Sequence, residues 1–197
     1  MSKLYFRYGA MGSGKTAALL QVKYNYEQKR MRVLLIKPLI DTKGTNTVVS
    51  RIGISAPVDI LLDTNETLMS RMIPEKPDAI IVDEAQFLTP AQVDELYLMS
   101  KLYDVSVLCY GLRTDFQMKG FPGSTRLLEI ADDIEELKTI CSCGKKATQN
   151  LRKMNGIPTF EGEQVVIDNS DVVEYECVCG ECYLKKRYEA GGKQWRK

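Results

Sequence analysis

Residues 9–16 read Gly9, Ala10, Met11, Gly12, Ser13, Gly14, Lys15, Thr16, a full match to G-x-x-x-x-G-K-[ST]. They follow an apolar run at residues 4–8 and precede a helical stretch from Lys15 to about Arg30. Strand, glycine loop and helix in that order commit the chain to open as a parallel α/β fold. The glycines allow a nest of backbone N–H groups around phosphate oxygens, and the helix N-terminus adds its positive dipole end. Lys15 would reach the outer phosphates of a nucleotide such as ATP, and Thr16 would place a hydroxyl on Mg²⁺. A purely structural glycine turn would leave the adjacent Lys15-Thr16 pair unexplained.

Further apolar runs at residues 33–36, 79–82 and 105–108 have the continuous character of strands covered on both faces. Thr89-Pro90 supplies an N-cap and a first-turn proline for a helix running to Leu102. The expected fold is therefore a P-loop, RecA-like α/β domain over residues 1–135, with a mostly parallel sheet flanked by helices. The polar segments 41–50 and 113–124 are candidate substrate loops, and a short helix is expected at 125–131. Beyond that the composition changes, which predicts a small zinc-binding β domain at 136–188 and a tail at 189–197.

Composition narrows the chemistry. The 197 residues contain no histidine, which removes Ser-His-Asp triads, Cys-His dyads and every His-containing metal site. Any general base must be a carboxylate, a lysine or a cysteine. With 27 basic and 26 acidic side chains the net charge is +1, which argues against wholesale binding to a nucleic-acid backbone. No apolar stretch is long enough for a signal peptide or a membrane span, so a cytoplasmic location with reduced thiols is expected.

A second nucleotide-site signature closes the run at 79–82: Asp83, Glu84, Ala85, Gln86, Phe87. Asp83, at the carboxyl end of a buried strand, is placed to orient Mg²⁺, and Glu84 is the first choice of general base. The other reading is that the pair caps the next helix through its dipole. The sequence also resembles a helicase box, but such motors need two sheet domains and this length supplies one. Five of the six cysteines crowd into the last third. Cys141 and Cys143 with Cys179 and Cys182 can furnish a structural four-thiolate zinc site, with Cys177 as a fifth thiol able to replace one of them. A metal at the feet of the intervening segment would close it as a loop, suggesting a lid over a ligand. A competing reading is a non-catalytic, nucleotide-dependent zinc module that binds nucleic acid.

Over almost its whole length the chain resembles the cellular-type thymidine kinases, which join a P-loop α/β domain to a small zinc domain. The resemblance rests on the loop at 9–16 with Met11 inside it, Lys37-Pro38 followed by Asp41-Thr42, and Asp83 to Phe87. It continues through Tyr110-Gly111-Leu112-Arg113-Thr114-Asp115-Phe116, Glu161-Gly162-Glu163 before Val165-Val166-Ile167, Tyr175, and Cys182-Tyr183. It implies ATP- and Mg²⁺-dependent phosphorylation of the thymidine 5′-hydroxyl, with deoxyuridine as a poorer substrate and Glu84 taking the proton. It further implies that Met11, Leu112, Phe116 and Phe121 line the base pocket and that Asp41 and Lys43 lie near the phosphates. The loop around Val166-Ile167 would grip thymine through backbone groups, and Tyr175 would contact the sugar. Phe116 can equally be read as a core plug for its loop. A homotetramer, feedback inhibition by dTTP and a role in nucleotide salvage follow from the same resemblance. The chain departs from the family at three places: Asp168-Asn169 stands for a glycine pair, Lys43 for an arginine, and Asn150 for a threonine near the base pocket.

Overall fold

The apolar runs become a parallel sheet because alternate side chains along each strand enter one of two buried layers. The computed structural model describes residues 2–40, 46–71, 76–165 and 173–191. In chain order its first part runs β1 (Leu4–Tyr8), α1 (Lys15–Gln28), β2 (Val33–Pro38), β3 (Thr47–Val49), β4 (Ser55–Pro57), β5 (Ile60–Leu62), β6 (Ala79–Val82), α2 (Pro90–Leu102), β7 (Ser106–Gly111), α3 (Pro122–Ile130) and β8 (Asp133–Glu136). Six of these strands form one sheet in the order β5-β2-β6-β7-β1-β8, every pair parallel. Phe6, Ile36, Ile80, Val82, Val107 and Cys109 pack on one face with Val93, Leu96 and Met99 of α2 and Leu127 of α3. Leu35, Ile81, Leu108 and Tyr110 pack on the other with Leu19 and Leu20 of α1. The two core layers thus follow directly from the period of two.

The helix at 125–131 was expected too late. It begins at Pro122, with Phe121 as N-cap, because a proline at the first helical position sacrifices no intrahelical hydrogen bond. α2 begins as expected: Thr89 Oγ1 accepts from Gln92 N at 3.2 Å and Gln92 Oε1 accepts from Thr89 N at 3.0 Å, a reciprocal capping box. The segment read as a loop at 41–50 instead carries, from Thr47, the first strand of an antiparallel hairpin, β3 with β4. Val48 anchors the hairpin in the α1-side core layer.

After β8 the chain forms a two-stranded ribbon, β9 (Thr139–Ile140) with β10 (Lys146–Ala147), and an antiparallel sheet of β11 (Gln149–Met154), β12 (Ile157–Thr159) and β13 (Val173–Val178), closed by α4 (Gly180–Ala190). Its core holds Ala147, Leu151, Val178 and Tyr183 beside Cys141 and Cys179. Among the described residues no helix is long and apolar enough to cross a membrane.

Candidate active site

The phosphate loop is shaped by what its glycines avoid. Gly12 and Gly14 sit at φ 76° and 79°, a left-handed region costly for residues with a Cβ. A Cβ on Gly9 would collide with the Leu137 carbonyl and the Ser13 side chain. Gly9 N donates to Gly111 O at 3.3 Å, tying the loop to the end of β7. Lys15, the first residue of α1, is buried and donates to the carbonyls of Gly9 and Ala10 at 3.1 and 3.0 Å. Burial lowers its pKa, while the nearby Glu84 and Asp83 carboxylates act in the opposite direction and Arg51 adds to the lowering. Thr16 Oγ1 donates to Asp83 Oδ2 at 3.5 Å, so the loop hydroxyl and the carboxylate at the end of β6 face one another. Ser13 Oγ is buried with no hydrogen-bond partner among the described residues.

Glu84 follows β6 with φ 50° and ψ 40°, a left-handed conformation that costs a non-glycine residue free energy and is retained where the surroundings enforce it. The Glu84 backbone is held on both sides, its N–H donating to Asp83 Oδ1 at 3.1 Å and its carbonyl accepting from Phe87 N at 3.1 Å, and its side chain is held by Gln86. Gln86 Nε2 donates to Glu84 Oε2 at 2.6 Å and Gln86 Oε1 accepts from Leu112 N at 3.0 Å. Gly111 gives the amide room, since a Cβ there would lie 2.7 Å from Gln86 Oε1. Ala85 is fully buried in the short 3₁₀ turn of residues Ala85–Phe87, with Gly123 of α3 packed against its carbonyl.

The expected nucleoside residues separate into two groups. Met11 and Tyr175 line a cavity of 430 Å³ together with Arg51, Lys153, Val173, Glu174 and Glu176. Leu112, Phe116 and Phe121 are buried and do not line it. Phe121 meets Phe87 edge to face at 5.7 Å, and the Phe116 ring lies under the Arg152 guanidinium at 3.6 Å. Asn150 joins the groups: its Oδ1 accepts from Met11 N at 2.8 Å and its Nδ2 donates to Thr114 O at 3.1 Å. Asp41, Lys43, Val166, Ile167, Asp168 and Asn169 lie outside the described residues. The approach to that segment is docked: Arg152 donates to the carbonyls of Glu163 and Glu161 at 2.8 and 2.6 Å, and Gln164 Nε2 donates to Asp115 Oδ2 at 3.0 Å.

Sequence reasoning missed Arg51, Arg152 and Lys153. A lone arginine reads as a solvated surface charge, and no motif distinguishes these three from the other basic residues.

In the second cluster, the Sγ atoms of Cys141, Cys143, Cys179 and Cys182 all lie within 4.8 Å of one another. The Cys143 and Cys179 sulfurs are 3.6 Å apart, against about 3.8 Å for the edge of a tetrahedron with metal–sulfur bonds of about 2.3 Å. Burial opposes the Cys141 thiolate, yet hydrogen bonds from the Cys143 and Cys179 backbones and from neighbouring thiols bring its pKa down to about 6. Hydrogen bonding to Cys143 and Cys179 pushes the Cys182 thiol up to about 12. The first thiolate is favoured and the last disfavoured, so four thiolates together require a cation, and the set can hold a metal such as zinc. Cys177, on β13, stands outside the four, with its thiol 3.7 Å from Ile140 O.

A family model described as "Thymidine kinase" matches residues 2–183. The chain belongs to the thymidine kinase family. The thymidine kinase of Legionella pneumophila (strain Lens) is 45% identical over 197 residues, covering 97% of this chain and 92% of that protein. The thymidine kinase of Yersinia pseudotuberculosis serotype I (strain IP32953) is 46% identical over 189 residues, covering 93% and 95%. That of Chromobacterium violaceum is 42% identical over 185 residues, covering 93% and 98%. Among solved structures, one of two coordinating Pif1 helicases at forked dsDNA aligns at a TM-score of 0.34 and 19% identity, over 69% of this chain and 39% of that one, a likeness too slight to bear on activity. As a thymidine kinase family member the chain is a phosphotransferase.

Proposed function

We propose that the chain transfers the γ-phosphoryl group of ATP to the 5′-hydroxyl of thymidine, giving ADP and dTMP, with deoxyuridine as a poorer substrate. The observation that carries this reading is the Glu84 carboxylate, held by Gln86 beside the phosphate-loop Lys15. In a chain without histidine, a fixed carboxylate at that point is suited to take the proton of an attacking hydroxyl. The loop backbone and Lys15 bind and orient the phosphates. Tyr175 and Met11 hold the nucleoside in the cavity they share, and Asn150 fixes the loop tip against the segment that carries Phe116.

Thr16 and Asp83 would hold Mg²⁺, whose chemistry there is neutralisation of phosphate charge. Their oxygens, 3.5 Å apart, are a hydroxyl and a carboxylate, the hard donors that ion takes. Cys141, Cys143, Cys179 and Cys182 would hold structural Zn²⁺. We assign residues 1–135 to nucleotide binding and 136–188 to the small zinc domain that covers the nucleoside. We further propose a cytoplasmic homotetramer that serves nucleotide salvage and is inhibited by dTTP.

The test incubates the purified chain with Mg-ATP and thymidine, deoxyuridine, deoxycytidine, deoxyadenosine or deoxyguanosine, and follows 5′-monophosphate formation. The expected product is dTMP, with less dUMP and no purine nucleotide. Nucleotide binding with no nucleoside phosphorylated would contradict the proposal.

A further inference from the structure

We propose that Arg51 is a catalytic residue of the phosphoryl transfer, set where the phosphate loop meets the acceptor cavity; this rests on reading the chain as a nucleoside phosphotransferase. Arg51 lies in the turn between β3 and β4. Its backbone is fixed, because Ser50 N and Ser50 Oγ donate to Ile54 O at 2.9 and 3.1 Å, and Gly53 N donates to Ser50 O at 3.0 Å. Val48, buried in the core, seats the hairpin on the sheet layer. From that anchored turn the exposed Arg51 side chain reaches the crown of the phosphate loop. Arg51 Nη1 stands 3.4 Å from where a Cβ on Gly12 would be.

Two further observations place it between donor and acceptor. Arg51 lines the 430 Å³ cavity that Met11 and Tyr175 also line, so one side chain borders both the phosphate nest and the space for the nucleoside. Its charge reaches Lys15, which it disfavours in the charged form after burial, while Glu84 and Asp83 favour that form. Arg51 is thus a second cation acting at Lys15, where the charges of Glu84 and Asp83 also act. Among the described residues no carboxylate forms an ion pair with Arg51, which leaves its five donors for a ligand.

The chemistry at that point needs a second cation. The 5′-oxygen bonds to the γ-phosphorus as its proton passes to Glu84. The bond from that phosphorus to the β,γ-bridging oxygen breaks, and its electron pair leaves with ADP. In the transition state charge spreads over the three equatorial oxygens of the transferring group. Lys15 meets them from the loop side as a point charge. A planar guanidinium reaching from the cavity side can bridge two of them bidentately, which an ammonium cannot.

The experiment compares the full-length wild-type chain with Arg51→Ala and Arg51→Lys under saturating Mg-ATP and thymidine, and measures binding of ADP alone and of ADP with magnesium, aluminium fluoride and thymidine. Arg51→Ala is expected to lower kcat by about 1,000-fold or more, the lower reach of what such arginines supply. Affinity for ADP alone should change by less than about 3-fold, while affinity for the aluminium fluoride complex falls in step with kcat/KM. Arg51→Lys should recover only part of the loss. A kcat within about 3-fold of wild type in Arg51→Ala, or an equal loss of affinity for ADP and for the transition-state mimic, overturns the role of Arg51 alone. A wild-type chain that phosphorylates no nucleoside overturns both this role and the function on which it rests.

Discussion

Gln86 does with one amide what the site needs from two directions: it restrains the Glu84 carboxylate and satisfies the buried N–H of Leu112 at the exit of β7. Replacing it with leucine keeps the bulk and removes both bonds. The buried Leu112 N–H then has no acceptor, at a cost of about 1–3 kcal/mol in stability. Glu84 also gains rotational freedom at the reacting centre. Gln86→Leu is therefore expected to lower kcat by about 10- to 100-fold with thymidine KM nearly unchanged, and to lower the Tm, measured by steady-state kinetics and thermal unfolding. An unchanged kcat would show that Glu84 needs no such restraint. At this scale the sequence was partly legible. Lys15, Thr16, Asp83 and Glu84 were visible because motif spacing forces them together. Arg152 was not, because a guanidinium almost fully buried over Phe116 and bonded to the carbonyls of Glu161 and Glu163 requires a fold to be recognised.

Among the elements, legibility followed burial. β1, β2, β6 and β7 are central strands whose apolar runs announce them, and Thr89, Pro90 and Gln92 mark the start of α2. β8 was invisible: it is an edge strand of Asp133, Ile134, Glu135 and Glu136, largely exposed and acidic, held by its pairing with β1. The β3–β4 hairpin was missed because three-residue strands are too short for a period of two to register. The cysteine cluster shows the same limit. Five thiols were in play, and the end of β13 at Val178 decides among them, since the chain turns there and makes Cys179 the N-cap of α4 while Cys177 stays on the strand. These elements are small, and β10, β11, β13 and α4 share a core of few residues, so a metal there should contribute much of their stability. Removing metal with a strong chelator is expected to lower the Tm and expose 136–188 to proteolysis. Metal loss should be faster at pH 6 than at pH 8, because protons compete with the metal for the four thiolates. A chelator-treated chain with unchanged Tm and protease resistance would exclude a structural metal.

Across the whole molecule, the small sheet is fastened to the phosphate loop and to the segment after β7. Asn150 bridges Met11 and Thr114, and Tyr183 Oη donates to Phe116 O at 2.6 Å. Arg152 and Tyr175, opposite one another across β11 and β13, serve neighbouring parts of this junction: one pins residues 161–163 over Phe116, the other walls the cavity beside Met11. The bridges of Asn150 and Tyr183 were not legible beforehand, because each joins residues more than 35 positions apart with no shared motif. Together they tie the small sheet to the phosphate loop and to the segment after β7 as one framework.

The most direct measurement is the rate of thymidine phosphorylation by Glu84→Gln against wild type, with ATP binding measured on both. Glutamine keeps the shape and can still meet Gln86, but it cannot take a proton. The expected result is a kcat lowered by at least about 100-fold with ATP affinity within about 3-fold. A Glu84→Gln chain that phosphorylates thymidine at the wild-type rate would contradict the role of Glu84 as base and, with it, the centre of the proposed mechanism.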